Sequence, residues 1–175
     1  MDFSEKQVER SAFEAQDAVL GFDGPTRFLS NFAASEVEMY GIIFPTVEHA
    51  FAAAKLDPNG GVHDRATVMK EMRAIAAAPA PGDAKRLGRR RTLNGKPFMR
   101  ADWDAKKEEL VLELLRRKFA DPKLAEKLRA TGSRPLVELN TWGDRIWGMT
   151  EQDGVLEGRN MLGEMLMQVR SELAA

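Results

Sequence analysis

The sequence predicts an α+β fold: one domain with several helices around a small antiparallel sheet. Three observations carry that expectation. Apolar residues recur at helical spacing in four separate stretches, near 47–54, 68–76, 110–119 and 161–169. Two β-rich runs, 36–39 and 42–44, meet at Tyr40-Gly41, where glycine supplies the permissive position of a hairpin turn. No internal repeat, low-complexity tract or long linker divides the chain.

In order along the chain, residues 3–20 alternate charge with Val8, Phe13, Ala15, Val19 and Leu20. That pattern fits a marginal helix or an extended lead-in, broken at 21–25, so a lead-in over 1–25 and a folded domain over 26–174 are expected. Phe28 and Phe32 share a parity with Leu29 opposite, which predicts a strand ending in a turn. After the hairpin, Pro45 and Thr46 open a helix that meets no breaker until Asp57-Pro58. A loop over 57–61 leads to a helix near 63–78, ended by Pro79 and Pro81, with a short helix from Gly82 or Asp83 to Gly88. The clearest helix covers 102–120, with Asp102 as its cap. Asp121-Pro122 starts another, closed by Thr131-Gly132. Residues 136–140 and 145–149 read as strands, and Gly158-Arg159-Asn160 opens the last helix.

Composition narrows the function. The 175 residues are 43% hydrophobic and 30% charged, a globular balance, and the formal net charge of −1 argues against a molecule that binds nucleic acid by overall charge. With no cysteine there is no thiolate site or disulfide. Two histidines without a His-Glu-x-x-His pattern give no metal centre, and no cofactor is expected. P-loop, dinucleotide and nucleophile-elbow signatures are missing. The chain start lacks a signal-peptide pattern and no apolar run is long enough for a bilayer, so a cytoplasmic protein without membrane partners is expected.

Four features remain as candidates for chemistry. Glu48 and Lys55 lie two turns apart on the predicted 46–56 helix, at the edge of the stripe Val47, Ala50, Phe51 and Ala54. Glu48 sits in the first turn, where the helix dipole favours a carboxylate. The competing reading is an ordinary helix with a snorkelling lysine. Five of the seven residues from Lys85 to Arg91 are basic, a phosphate site or a solvated face. Trp142, Asp144 and Trp147 cluster in a glycine-bearing segment, and Trp103 follows Asp102. These tryptophans offer flat faces for a base, or are simply core.

Phe28-Leu29-Ser30-Asn31-Phe32, Phe44-Pro45-Thr46-Val47-Glu48-His49 and Lys55 resemble the front half of the NADAR family, also called the YbiA-like family. The back half agrees through Gly88-Arg89, Asp102-Trp103, Lys118-Phe119, Thr131-Gly132, Leu136-Val137-Glu138, Asp144 with Trp147-Gly148, and Gly158-x-Asn160-x-Leu162-Gly163. The matches keep their order from residue 26 to 170.

The resemblance implies a hydrolase of N-glycosidic bonds, acting on a phosphoribosyl-aminopyrimidine intermediate of riboflavin synthesis or on ADP-ribosyl-guanine, including ADP-ribosylated nucleic acid. A non-catalytic module that binds ADP-ribose or a nucleotide is the alternative. In the catalytic reading Glu48 faces the anomeric carbon, Asp144 is the partner acid or base, and Lys55 holds the sugar as an imine or positions Glu48. Trp103 and Trp147 flank the leaving base, and Arg27 and Arg89 take phosphate. Ser30, Asn31, Phe51 and Asn160 complete the expected substrate-binding set. Where relatives often carry aromatic and glutamine residues, this chain has Ala50, Ala52, Ala53 and Ala54, which implies a wider inner wall.

Overall fold

The computed structural model describes residues 4–60 and 62–174; positions 1–3 of the chain start and Gly61 of the 57–61 loop lie outside the described residues. In chain order the elements are β1 (Lys6–Glu9), α1 (Arg10–Glu14), β2 (Val19–Leu20), a 3-10 helix (Gly24–Leu29), β3 (Val37–Met39), β4 (Ile42–Phe44), α2 (Val47–Ala53), α3 (Arg65–Ala76) and α4 (Pro81–Leu87). Then follow β5 (Thr92–Leu93), β6 (Lys96–Pro97), α5 (Trp103–Lys118), α6 (Pro122–Arg129), β7 (Leu136–Val137), β8 (Met149–Gln152), β9 (Val155–Gly158) and α7 (Met161–Glu172). The fold is α+β, as expected. Its contacts divide it into two compact units. One, here the middle unit, is Asn31–Lys118; the other, the terminal unit, joins the chain up to Ser30 with the chain from Phe119 onward.

The middle unit is built on α2. Val47, Ala50 and Ala53 are fully buried, and α3, α4 and α5 all pack on this one helix. The Thr46 hydroxyl accepts from the His49 amide at 3.2 Å, the predicted cap. Another orphan donor of the first turn, the Glu48 amide, goes to the Asn31 carbonyl at 3.0 Å. His49 Nε2 lies 3.1 Å from the Ala78 carbonyl, which only accepts, so Nε2 carries the proton. Nδ1 then accepts from Thr46 Oγ1 at 2.8 Å. The histidine thus ties α2 to the chain beyond α3.

The alanines of α2 correct one expectation. Ala50, Ala52, Ala53 and Ala54 are all buried, and a Cβ at Gly88 would come within 2.9 Å of Ala52 Cβ. Small residues here let α4 approach α2 and leave no widened wall. The β3–β4 hairpin forms as expected, with Tyr40 and Gly41 at φ 54° and 73°, the pair of positive angles that a tight hairpin turn requires. Two boundaries differ. Proline fits the first turn of a helix, so α4 begins at Pro81 itself. The carboxylate of Asp102 makes a two-point pair with Arg100 before α5 begins.

In the terminal unit, β1, β9 and β8 form an antiparallel sheet in that order, while β2 and β7 pair in parallel. Val137, Met149 and Leu156 form one buried cluster of this unit, with Phe13, Leu20 and Leu139 against them. Residues 24–29 form a 3-10 helix where a strand was expected. Pro25 presets its first turn, and the Thr26 amide and hydroxyl both donate to the Asp23 carbonyl. The strand expected at 145–149 begins only at Met149. Upstream, Asp144 Oδ1 accepts from the Ile146 and Trp147 amides at 3.0 and 2.9 Å, a local side-chain turn that competes with strand pairing. The hairpin β8–β9 turns at Asp153-Gly154, both at positive φ.

Candidate active site

In the middle unit the structure brings together Glu48, Phe51, Lys55, Arg89 and Trp103. Glu48 is 7% exposed on α2. The helix ends at Ala53, short of Lys55, but Ala54 keeps right-handed helical angles, so the chain carries the turn onward. Lys55 Nζ donates to the Gly88 carbonyl at 3.0 Å and lies 6.0 and 5.6 Å from the ring centres of Phe51 and Trp103. Those rings are 5.0 Å apart and tilted by 42°. The amine therefore has one carbonyl partner and two aromatic faces around it.

Burial is the largest influence on that amine and lowers its pKa from the ordinary lysine value. The Glu48 charge opposes the shift; Arg89 and Lys85 reinforce it. The direction left open by the sequence is thus downward. Arg89 itself is exposed. Its neighbours in the basic run have other partners: Arg86 pairs with Asp83 at 3.1 Å, and Arg90 pairs with Glu71 at 2.7 Å while lying over Phe98. Two of the run's five charges are thus in ion pairs, and Arg89 acts on Lys55. Asn31 offers its carbonyl to Glu48, and its side-chain Oδ1 is buried without a hydrogen-bond partner.

The terminal unit holds Arg27, Ser30, Asp144, Trp147 and Asn160. Arg27 is exposed on the 3-10 helix, whose end Ser30 marks. Asp144 is half-buried and anchors the loop that carries Trp147, whereas Trp142 is exposed. Asn160, in the left-handed region at φ 52°, uses both amide atoms on backbone: Nδ2 donates to the Leu136 carbonyl at 2.9 Å and Oδ1 accepts from the Glu138 amide at 3.0 Å. That makes it a positioning residue for the segment after β7.

Sequence reasoning missed the unusual surroundings of Glu138. Its Oε2 is buried without a hydrogen-bond partner. Burial pushes its carboxyl up to about 7, with the charges of Asp144 and Asp23 adding to the shift. A signal was present: Glu138 shares its parity with Leu136 and Asn140, both buried.

A cavity of about 170 Å³ in the middle unit is lined by Leu56, Asp57, His63, Phe98, Arg100 and Asp102 among others, and by none of the predicted site residues. Arg100 in its lining is paired with both Asp57 and Asp102. Among the described residues no group of three His, Cys, Asp or Glu could hold a metal ion, and no helix is long and apolar enough to cross a membrane.

The NADAR domain family model matches residues 17–174. The chain belongs to the NADAR family. It is 34% identical to "N-glycosidase YbiA" of Escherichia coli over 173 residues, 96% of each chain. It is 33% identical over 150 residues to "Riboflavin biosynthesis protein PYRR, chloroplastic" of Zea mays, covering 82% of this chain and 23% of that one. The NMR structure of Escherichia coli YbiA matches with a TM-score of 0.68 at 33% identity, over 90% of this chain and 83% of that one. This NADAR chain is accordingly an enzyme of the N-glycosidase type.

Proposed function

We propose that this NADAR chain hydrolyses the bond between ribose and nitrogen in a phosphate-bearing ribosyl base, with a phosphoribosyl-aminopyrimidine as its substrate. The riboflavin-named relative supports that substrate class. The observation that carries the reading is Lys55: an amine whose pKa is lowered by burial, between two aromatic faces, under the charge of a nearly buried Glu48.

Cleavage builds positive charge at the anomeric carbon, and the Glu48 carboxylate stabilises it. A neutral Lys55 amine attacks that carbon as the sugar ring opens. The carbon–nitrogen bond to the base breaks, its electron pair and a proton leave with the base, and an imine remains. Water then hydrolyses the imine and restores the amine. The exposed Arg89 suits the substrate phosphate. Trp103 and Phe51 offer faces to the sugar and base.

The test is to incubate the protein separately with a phosphoribosyl-aminopyrimidine and with ADP-ribosylated guanine DNA, and to follow released base and ribose phosphate or ADP-ribose by chromatography. Release from the aminopyrimidine alone is expected. Release from the DNA alone transfers the reading to ADP-ribosyl-guanine, and tight binding without release from either makes the chain a binding module.

A further inference from the structure

We propose that the cavity of the middle unit is a second binding site, for a small neutral ring that carries both carbonyl and N–H groups, as a pyrimidinone does. The free base released in the reaction above is of that class. That identification rests on the N-glycosidase reading; the site itself does not.

The walls set the size and polarity of the occupant. Leu56 and Phe98 are each 1% exposed and give the cavity apolar surface. At about 170 Å³ it has room for one six-membered ring, since a cavity of about 150 Å³ accepts benzene. Two polar groups in this lining are unmatched. His63 is 8% exposed, and its Nε2 lies 2.8 Å from the Pro97 carbonyl, which only accepts, so Nε2 carries the proton. Nδ1 of the neutral ring is then an acceptor. It has no partner among the described residues, and neighbouring atoms do not seal it off. Arg100 is the complement. Its Nε and Nη2 donate to the two carboxylate oxygens of Asp102 at 2.5 and 2.9 Å, and Nη2 also pairs with Asp57 Oδ2 at 3.2 Å. The N–H donors of Nη1 have no partner among the described residues and are not sealed off either.

Both groups are fixed before a ligand arrives. The Arg100 amide donates to the Lys55 carbonyl at 2.7 Å, two carboxylates hold the guanidinium, and Pro97 holds the imidazole. Binding therefore orders little of the protein. Charge selects against ions. The guanidinium charge is already met by Asp57 and Asp102, which leaves little attraction for a phosphate, and a cation would face the guanidinium. A neutral ring with a carbonyl for Nη1 and an N–H for His63 leaves neither group unmatched.

Uracil is the probe, with 1,3-dimethyluracil, which keeps the carbonyls and has no N–H, and ribose 5-phosphate beside it. Nitrogen-15 NMR of the whole chain, titrated with uracil, should show saturable shifts of the Leu56, Asp57, His63 and Ala101 amides. The His63 Nδ1 resonance should move upfield as it accepts a hydrogen bond. 1,3-Dimethyluracil should bind about tenfold or more weakly. Ala101→Phe, at an exposed lining position, should fold normally and weaken uracil binding by about tenfold or more, because the ring fills the cavity. Amides that show no saturable shift, an Nδ1 resonance that stays in place, or equal affinity for 1,3-dimethyluracil overturns the assignment. So does wild-type binding by Ala101→Phe, or tighter binding of ribose 5-phosphate than of uracil. None of these readouts needs turnover. A protein that binds uracil here and releases base from neither substrate refutes the N-glycosidase reading alone, and one that releases base and binds no uracil refutes this site alone.

Discussion

Burial shifts a charged side chain of interest in each unit, and with opposite sign. In the middle unit it lowers Lys55 toward the neutral amine. In the terminal unit it raises Glu138 toward the neutral acid. The surroundings differ as well. Lys55 feels one opposing charge, Glu48, and two of its own sign, Arg89 and Lys85. Glu138 feels only charges of its own sign, Asp144 and Asp23. The scaffolds differ too, a helix and its onward turn for Lys55, the segment just after a short strand for Glu138. The difference teaches that burial neutralises an amine and a carboxyl by the same physical means, the residue type alone setting the direction of the shift.

The largest expected effect is on the carboxylate beside the amine. Glu48→Gln keeps the shape and removes the charge. Turnover should fall by about 100- to 1,000-fold with KM within a few-fold of wild type, because the lost interaction is with charge developed in the transition state. Steady-state kinetics on the aminopyrimidine check this. A variant that keeps kcat removes Glu48 from the reaction and leaves Lys55 without a catalytic neighbour on its helix.

The middle unit was legible in advance because its logic is local. Thr46, the breaker at Asp57-Pro58 and the 3.6-residue spacing place Glu48 and Lys55 close together before any tertiary contact is known. The same local rules placed the Tyr40-Gly41 hairpin. The terminal unit resists such reading. Its three-stranded sheet pairs β1 with β9 across most of the chain length, and β2 pairs with β7 in parallel. Neither partner is implied by spacing. The Asp144 turn displaced a strand because side-chain oxygens took the backbone amides first, and Glu138 acquired its character from Asp23 and Asp144, which only the fold brings near it. The β8–β9 turn is the exception: Asp153-Gly154 is a readable hairpin signal.

Borohydride trapping sharpens the Lys55 side of the comparison. During turnover, reduction should add a sugar-phosphate mass at Lys55, located by peptide mass spectrometry, and Lys55→Arg should show neither the adduct nor turnover, since a guanidinium stays charged. Turnover by the wild type should fall as pH drops through the lowered pKa, as the amine protonates. Full activity after reduction, with no added mass, removes the imine and leaves Lys55 as a partner that positions Glu48.

A second lysine separates burial from site-building. Lys118, at the end of α5, is 1% exposed, and burial lowers it to about 7. Burial is the cause of that shift, whereas at Lys55 the charges of Glu48, Arg89 and Lys85 act as well. Between about pH 7 and the ordinary lysine value the unfolded chain binds the extra proton, so Lys118 makes stability rise with pH over that window. The penalty is fully present below about 7 and gone above the unfolded value. Lys118→Met should raise stability at pH 7 by on the order of 2 kcal/mol and flatten the rise, as read by urea midpoints at pH 7, 8.5 and 10. An unchanged slope assigns the pH dependence to other groups.

On the Glu138 side, Asn160→Ala removes both clamps on the segment after β7. The Leu136 carbonyl and Glu138 amide lose their partners, at a cost of about 1–3 kcal/mol in unfolding free energy. A left-handed backbone disfavours alanine as well, so Asn160→Gly, which lacks the amide but tolerates the angle, should lose less. Equal losses for the two variants would place the whole cost in the hydrogen bonds.

The smallest effect should come from Arg89→Ala. Arg89 is exposed, and exposed charges act weakly through water and salt. Binding of the phosphorylated substrate should weaken by a few-fold at low ionic strength and converge on wild type at about 0.5 M salt, where screening removes the difference. Arg90→Ala should instead lower stability, because its guanidinium pairs with Glu71 and covers Phe98. Arg89 also helps depress Lys55, so its removal should move the low-pH limb of turnover upward even where phosphate binding is saturated. That limb is the more decisive readout. A shift with saturating substrate ties Arg89 to the amine, and a change in KM alone ties it to the phosphate and leaves Lys55 to burial and Glu48.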